Sequence, residues 1–283
     1  MSGNSWPTPF PLPHDTAEVL VKARKQCANL GLWLDRYVDY ELDRKDNTYK
    51  PSERARRRKE RDGRNEWLLS SKRLESVIQA HYARWRASLS GEGRAFREFQ
   101  AEPEWRVVVG LGGPSPLETA ITLHRVYGFP VIPGSGLKGM ARAYAELGEG
   151  KNEHDPEFWA VFGGVRRVNR EGQEVEERAA GLVCFLDAVP KQPPNLELDV
   201  MNPHYPNYYQ GDEPPANYQS PVPIYFLTVG QSSPFAFGVV ARTQDGNNHL
   251  DKAVEWLQGG LREMGTGGKT TAGYGIWHRF ATP

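Results

Sequence analysis

The chain has 283 residues, 39% hydrophobic and 25% charged, with 35 Lys+Arg balanced by 35 Asp+Glu. That is ordinary globular material, long enough for one large domain or two small ones. Cys27 and Cys184 lie far apart, the seven histidines are scattered, and no apolar run reaches bilayer length, which excludes a disulfide framework, a structural zinc and a spanning segment.

The opening "MSGNSWPTPFPLPHD" has no apolar core, so the expectation is a cytoplasmic protein that needs no metal or cofactor. The zero net charge hides an asymmetry. Residues 1–100 carry 20 basic and 14 acidic side chains, and residues 101–283 carry 15 and 21. A basic front suits a polyanion, or is simply a solvated face.

In chain order, residues 15–30 predict a helix capped by Asp15 or Thr16, with Val19, Ala23, Cys27 and Leu30 on one stripe. From Glu53 to Arg64 the chain is almost wholly charged, a run that cannot pack a core. A second helix follows with Leu74, Val77, Ile78, Trp85 and Leu89 on one face. The run "EWRVVVGLGG" at 104–113 predicts the first strand, and the Pro-Gly-Ser turn after it opens a helix to about Leu147. "HDPEFWAVFGG" reads as a short helical turn, and "GLVCFLDAVP" at 181–190 as a strand. Residues 188–223, with nine prolines and four tyrosines, form an irregular excursion. "PIYFLTVG" and "FAFGVVAR" flank "QSSP" as a hairpin; an amphipathic helix from 248 to 264 and a last strand "YGIWHRFA" complete the order. The prediction is an α+β chain: a helical N-terminal extension over 1–103, then a ferredoxin-like (RRM-like) βαββαβ domain over 104–283 with a proline-rich insertion at about 188–223. The aromatic RNP signature of RNA-recognition motifs is absent.

"MGTGGKTTAGYG", residues 264–275, carries clustered glycines and a Lys-Thr pair, as phosphate-binding P-loops do. A P-loop needs a glycine where Glu263 stands, and it joins a strand to a helix, not a helix to a strand. Two readings remain for this loop. Its backbone N–H groups can form an anion nest, with Lys269 as a point charge and Thr270 and Thr271 as hydroxyl donors. Alternatively it is a tight turn in which Gly265 ends the helix and Lys269 is solvated. "IPGSGLKG" poses the same choice at a helix start, with Ser135 as the predicted N-cap and Lys138 and Arg142 a turn apart on one face.

"GFPVIPGSGLKGMARA" resembles the "IPGSSLKGALR" signature of the RAMP superfamily of CRISPR effector proteins, and "GLREMGTGGKTTAGYG" resembles that superfamily's glycine-rich loop. "DVMNPHYPNYYQGDEPPANYQSPVPIYFLTV" is similar to the middle of the sixth-subunit family of type III-B Cmr complexes. The resemblance covers roughly residues 104–283. It implies a non-catalytic RNA-binding subunit that helps hold a CRISPR guide RNA near its 3′ end while the guide pairs with target RNA. Its implied neighbours are the first Cmr subunit and the repeated backbone subunit. On that reading the RNA-contacting candidates are Ser135, Gly136, Lys138 and Arg142 in the first glycine motif. Gly267, Gly268, Lys269, Thr270 and Thr271 follow in the second, one motif at each end of the core. Arg125 adds a phosphate contact. His204, Tyr208 and Tyr209 lie in the insertion, which is the candidate thumb, and the tyrosines either stack on bases or anchor against a protein neighbour.

Related RAMP proteins that cut RNA use a histidine with other acid–base groups, or an aspartate in the loop after the first strand. Here that loop holds Glu118 and His124 but no aspartate. Asp187 and Asp199 sit at strand ends without a second carboxylate at fixed spacing and read as structural. The alternatives are a stand-alone metal-independent guide-processing ribonuclease using His124 or His204, and an assembly subunit that touches only protein.

Overall fold

The computed structural model describes residues 16, 18–19, 29–36, 38, 40–43, 45, 48–51, 72–89, 95–170, 172–202, 211, 214 and 223–282. In chain order these form α1 (Leu30–Asp35), β1 (Tyr40–Asp43), β2 (Thr48–Pro51), α2 (Lys72–Ala87) and β3 (Phe96–Pro103). Then come α3 (Gly134–Glu149), α4 (Pro156–Phe162), β4 (Gly163–Arg170), β5 (Gln173–Ala180), β6 (Val183–Phe185), β7 (Val189–Pro190) and β8 (Leu196–Met201). Last are β9 (Ile224–Val229), β10 (Phe235–Ala241), α5 (Leu250–Glu263) and β11 (Trp277–Ala281). The fold mixes helix and sheet, and no described helix is long and apolar enough to cross a membrane.

Compactness divides the chain into two units. The first takes its residues from 1–74, 110–129 and 196–228. Asn29 caps α1 by accepting from the Leu32 amide at 3.2 Å, while its own side-chain amide donates to the Val126 carbonyl at 2.9 Å. Val38 and Leu117 form a small core with Leu34 and Tyr40. Strand β8 pairs with β9, and the Thr228 hydroxyl donates to the Glu197 carbonyl at 3.0 Å.

The second unit, residues 75–109, 130–195 and 229–283, holds the main sheet. Its strand order is β11–β3–β10–β6, with β7 also on β10, and every pairing is antiparallel. Alternation along β3 sends Phe99 and Ala101 to one face and Glu98 and Gln100 to the other. On the first face Phe99 stacks on Phe237 at 5.2 Å, and Trp277 meets Phe237 edge-on at 4.9 Å. Helix α5 packs there through fully buried Ala253, Trp256, Leu257 and Leu261. Leu250, Ala253, Leu257 and Leu261 belong to the stripe its sequence predicts, Val254 and Met264 of that stripe are half-buried, and Trp256 was not foreseen. Helix α2 covers the other face. Its Trp85 ring lies where a side chain on Gly238 would be, 2.8 Å from the position a Cβ would take, and its indole N–H donates to the Asp187 carbonyl at 3.1 Å.

The α2 seam carries a polar cluster. The Tyr82 hydroxyl donates to the buried Glu98 carboxylate, which also pairs with Arg86 at 3.2 Å, and Lys191 sits 5.2 Å from the Tyr82 ring. Burial, then the hydrogen bond and charge of Glu98, push the Tyr82 phenol up to about 12. A phenol that binds its proton more tightly in the folded state contributes stability present below pH ~10 and lost as pH rises through the folded value. Wild-type protein should therefore lose more stability than Tyr82→Phe between pH ~10 and ~12 in denaturant titrations. Parallel alkaline losses in the two proteins would mean that the seam does not hold the phenol neutral.

Several predicted elements move. The first strand lies at Phe96–Pro103, not 104–113. In 104–113 only Val107 makes a β-bridge, to Val229, and the apolar run is buried for a different purpose. The 181–190 strand is two short strands, β6 and β7, on the same partner. The two strands flanking "QSSP" do not pair with each other. Gly230 N–H bonds to the Asn195 carbonyl at 2.7 Å and Ser232 takes φ +58, so the chain leaves β9 on β8 and delivers β10 to β3. The hairpin β4–β5 was not predicted at all. Of the predicted 15–30 helix only Thr16, Glu18, Val19, Asn29 and Leu30 fall among the described residues, and Asn29 and Leu30 start α1 there; none of the basic run 54–64 does.

Candidate nucleic-acid interface

Helix α3 begins two residues earlier than predicted. Pro133 (φ −61, ψ 132) occupies the N-cap position and offers no side-chain cap, so Ser135 lies inside the first turn with its side chain exposed. The missing cap comes from the link between β6 and β7. Asp187 accepts the Gly134 N–H at 2.7 Å, which gives that carboxylate the structural role expected of it. A Cβ on Gly134 would fall 2.3 Å from the Phe185 carbonyl oxygen, so this position demands glycine. Gly136 and Gly139 differ. A Cβ on either meets nothing within 4 Å, and both are exposed.

Lys138 and Arg142 share one face, as predicted, and that face meets α4. The Lys138 ammonium donates to the Phe162 carbonyl at the end of α4, 2.9 Å away. Burial holds this ammonium below its ordinary pKa, and the nearby Arg142 and Arg242 charges push the same way. Arg142 pairs with Glu146 at 2.8 Å and lies over the Phe158 ring at 5.0 Å.

The glycine-rich loop is braced as much as it is open. Gly265 (φ +75) ends α5 by returning its N–H to the Gly260 carbonyl. Thr266 N–H bonds to Gly275 O, Gly268 N–H to Val108 O at 2.7 Å, and Gly275 N–H to Arg106 O at 2.7 Å. That is what the apolar segment 104–109 does: its carbonyls tie down the loop. Gly267 takes φ +84, with a Cβ position 2.1 Å from the Val108 oxygen. Most of the amides expected to form an anion nest are therefore engaged within the chain. Lys269 stands in the left-handed region at φ 58, half-buried, and starts a short 3₁₀ turn whose residues Thr271 and Ala272 are exposed, as is Gly273 beyond it. A lysine held left-handed among glycines stores about 1–2 kcal/mol of strain that glycine would not.

The two motifs, expected at opposite ends of the core, come together at one. Glu149 meets Lys252 at 3.2 Å, Tyr144 lies against Gly259, and Met140 against Gly260, so α3 and α5 run antiparallel. The start of α3 thus lies at the end of α5 from which the glycine-rich loop departs.

In the first unit, His124 Nδ1 accepts the Val126 and Tyr127 amides at 3.2 and 3.3 Å, and its ring stacks on Tyr127 at 4.7 Å. Nδ1 is thereby an acceptor committed to a turn. Arg125 beside it is exposed. Glu118 takes φ 70 at the apex of a tight turn closed by Thr119 N–H to Leu117 O at 2.8 Å. His204, Tyr208 and Tyr209 lie outside the described residues.

Residues 105–277 match the family model of the RAMP superfamily. The chain is 36% identical to the CRISPR system Cmr subunit Cmr6 of Pyrococcus furiosus, over 60% of this chain and 64% of that protein. It is 27% identical to the corresponding subunit of Saccharolobus solfataricus, over 64% and 56%. The matches thus span under two thirds of the length of these curated relatives. A chain in the cryo-EM structure of the Type III-B Cmr-beta bound to cognate target RNA has the same fold, with a TM-score of 0.57 at 19% identity over 94% of this chain and 87% of that one.

Proposed function

Because the chain belongs to the RAMP superfamily, we propose that it is a non-catalytic, RNA-binding subunit of a type III-B CRISPR effector complex. It holds the guide RNA by its backbone near the 3′ end, in the cytoplasm, beside the first and the repeated backbone subunits of that complex. The strand order β11–β3–β10–β6, with α3 and α5 as crossovers, supports reading the second unit as the ferredoxin-like core.

The observation that carries the RNA seat is the pair Gly136 and Gly139. Each glycine in a helix costs up to about 1 kcal/mol relative to alanine, and nothing within the chain crowds these two positions. Their smallness serves something outside the chain. A phosphate backbone resting on the first turns of α3, beside Ser135, the half-buried Thr270 and the exposed Thr271, has that shape and meets the positive end of the helix dipole. Lys269 supplies a charge at the same end, and the two remaining donors of Lys138 supply another. Contacts of this kind are indifferent to base sequence, as holding many different guides requires. Two observations favour binding over cleavage: His124 Nδ1 is spent on backbone amides, and Asp187 on a helix cap.

Gly136→Ala and Gly139→Ala should each raise the melting temperature by about 1–3 °C. Each should also weaken binding of a repeat-derived guide RNA about tenfold, roughly 1.4 kcal/mol. Stabilised variants with unchanged affinity would remove the RNA from this helix face, and cleavage of the RNA by the wild type would support the ribonuclease reading instead.

A further inference from the structure

Tryptophan is the residue a fold most gains by burying, and Trp256 and Trp277 are 0% and 1% exposed. Trp105 is 42% exposed. It is not a loose side chain on a mobile loop. Glu104 N–H bonds to Ile276 O at 2.8 Å, the Gln231 amide donates to Glu104 O at 2.6 Å, and the next residue, Arg106, accepts the Gly275 N–H. The indole is thus mounted on the segment that braces the glycine-rich loop. Its ring meets Tyr274 of that loop at 4.7 Å and 40°, and the Arg106 guanidinium lies over it at 5.0 Å.

We propose that Trp105 is a base-stacking platform for single-stranded RNA: a nucleobase next to the phosphates held at the glycine-rich loop lies on the indole, and Arg106 turns to the RNA backbone. The inference rests on the RNA-binding function argued above and adds a second kind of contact to it. The magnitudes allow the exchange. A cation on an exposed aromatic ring is worth ~0.5–1 kcal/mol, whereas a stacked base is worth ~1–3 kcal/mol. A guanidinium displaced from the ring keeps its charge for a phosphate, so the exchange forfeits little. Stacking also suits a subunit that serves many guides, since every base has a π-face. A hydrophobic protein contact is the competing use of an exposed tryptophan. The cation on the ring and the adjoining glycine-rich loop, which carries Lys269, favour the nucleic acid.

The test uses the full chain and a fluorescently labelled single-stranded RNA of guide length, with an abasic nucleotide placed at each position in turn. Trp105→Ala should weaken binding of the intact RNA about 5- to 150-fold while leaving its salt dependence unchanged, because no phosphate contact is lost. Trp105→Tyr should restore most of the affinity, and Trp105→Leu should not. Lys269→Gly should do the opposite, flattening the log–log salt slope by roughly 0.7. In the wild type one abasic position should cost as much as Trp105→Ala costs, and in Trp105→Ala that position should cost nothing further. Trp105→Ala or Trp105→Leu binding as wild type would overturn the platform, as would additive losses in the abasic scan. If those variants kept RNA affinity but failed to join the assembled complex, the indole would be a protein contact. A wild type that binds no RNA would overturn the functional reading itself, a result distinct from these.

Discussion

Alanine at position 134 should cost the protein about 3 kcal/mol, a loss large enough to threaten folding of an ordinary domain. The alanine Cβ would fall 2.3 Å from Phe185 O, 2.7 Å from Leu186 C and 3.0 Å from Asp187 N. All three are backbone atoms of one strand end, so no rotamer change relieves the contact. Helix α3 must withdraw from β6, which breaks the 2.7 Å bond to Asp187 and loosens Leu137, Ala141 and Ala145, each 0% exposed. Overpacking of this kind costs ~1–3 kcal/mol and loss of a helix cap ~0.5–2. Urea denaturation measures it: the midpoint should fall with the slope unchanged. A shift smaller than ~0.5 kcal/mol would show that the helix start tolerates a methyl group and that the contact is not close. The opposite sign expected for Gly136→Ala, two residues on, separates a glycine the fold requires from one it merely permits.

Gly267→Ala should be nearly as damaging, also about 3 kcal/mol. Here two causes add. A left-handed φ of +84 is strained for any residue with a Cβ, and the Cβ would lie 2.1 Å from Val108 O, the acceptor of the Gly268 amide. Relief requires the loop to lift from the 104–109 segment, and the Gly268 and Gly275 bonds go with it. The expected outcome is a drop in the global midpoint together with fast hydrogen exchange at both amides. Fast exchange with a wild-type midpoint would mean instead that the loop opens by itself and contributes nothing to the cooperative unit.

How much of this was legible depended on where side chains pointed. The α5 helix could be read because it buries one stripe, and a stripe survives in sequence as a period; α3 could be read from the Pro-Gly-Ser turn that opens it. The family could be read from three stretches in order. The first strand could not. "FREFQAEP" alternates charge with apolar residues, while the neighbouring "VVV" is uniformly apolar, and the uniform run drew the assignment although its carbonyls serve a loop. The β4–β5 hairpin escaped because neither of its faces has a core to point at. Its stability lies in cross-strand pairs, Arg166 with Glu177 at 2.8 Å and Val168 opposite Val175. A signal existed: Arg-Arg-Val at 166–168 and Val-Glu-Glu at 175–177 are mirror images of opposite charge around a glycine turn. Ser135 was assigned as a cap from local rules, whereas the true acceptor, Asp187, lies in the distant link between β6 and β7, which no local rule can supply. Trp105 went unremarked because, taken as part of a strand, it needed no explanation.

That distant cap has a consequence for the order in which the chain assembles. Gly134 and Asp187 stand 53 positions apart. Bringing them together costs roughly 3.5 kcal/mol of chain entropy, scaled as (3/2)RT ln n. No cap within α3 offsets that cost in advance. The helix therefore has no fixed beginning while the polypeptide is still open; its first turn acquires a register only when the end of β6 arrives. Helix and strand should dock as a pair, and the ribbon of β4 and β5, which lies between them in sequence, shortens the loop to be closed if it forms first.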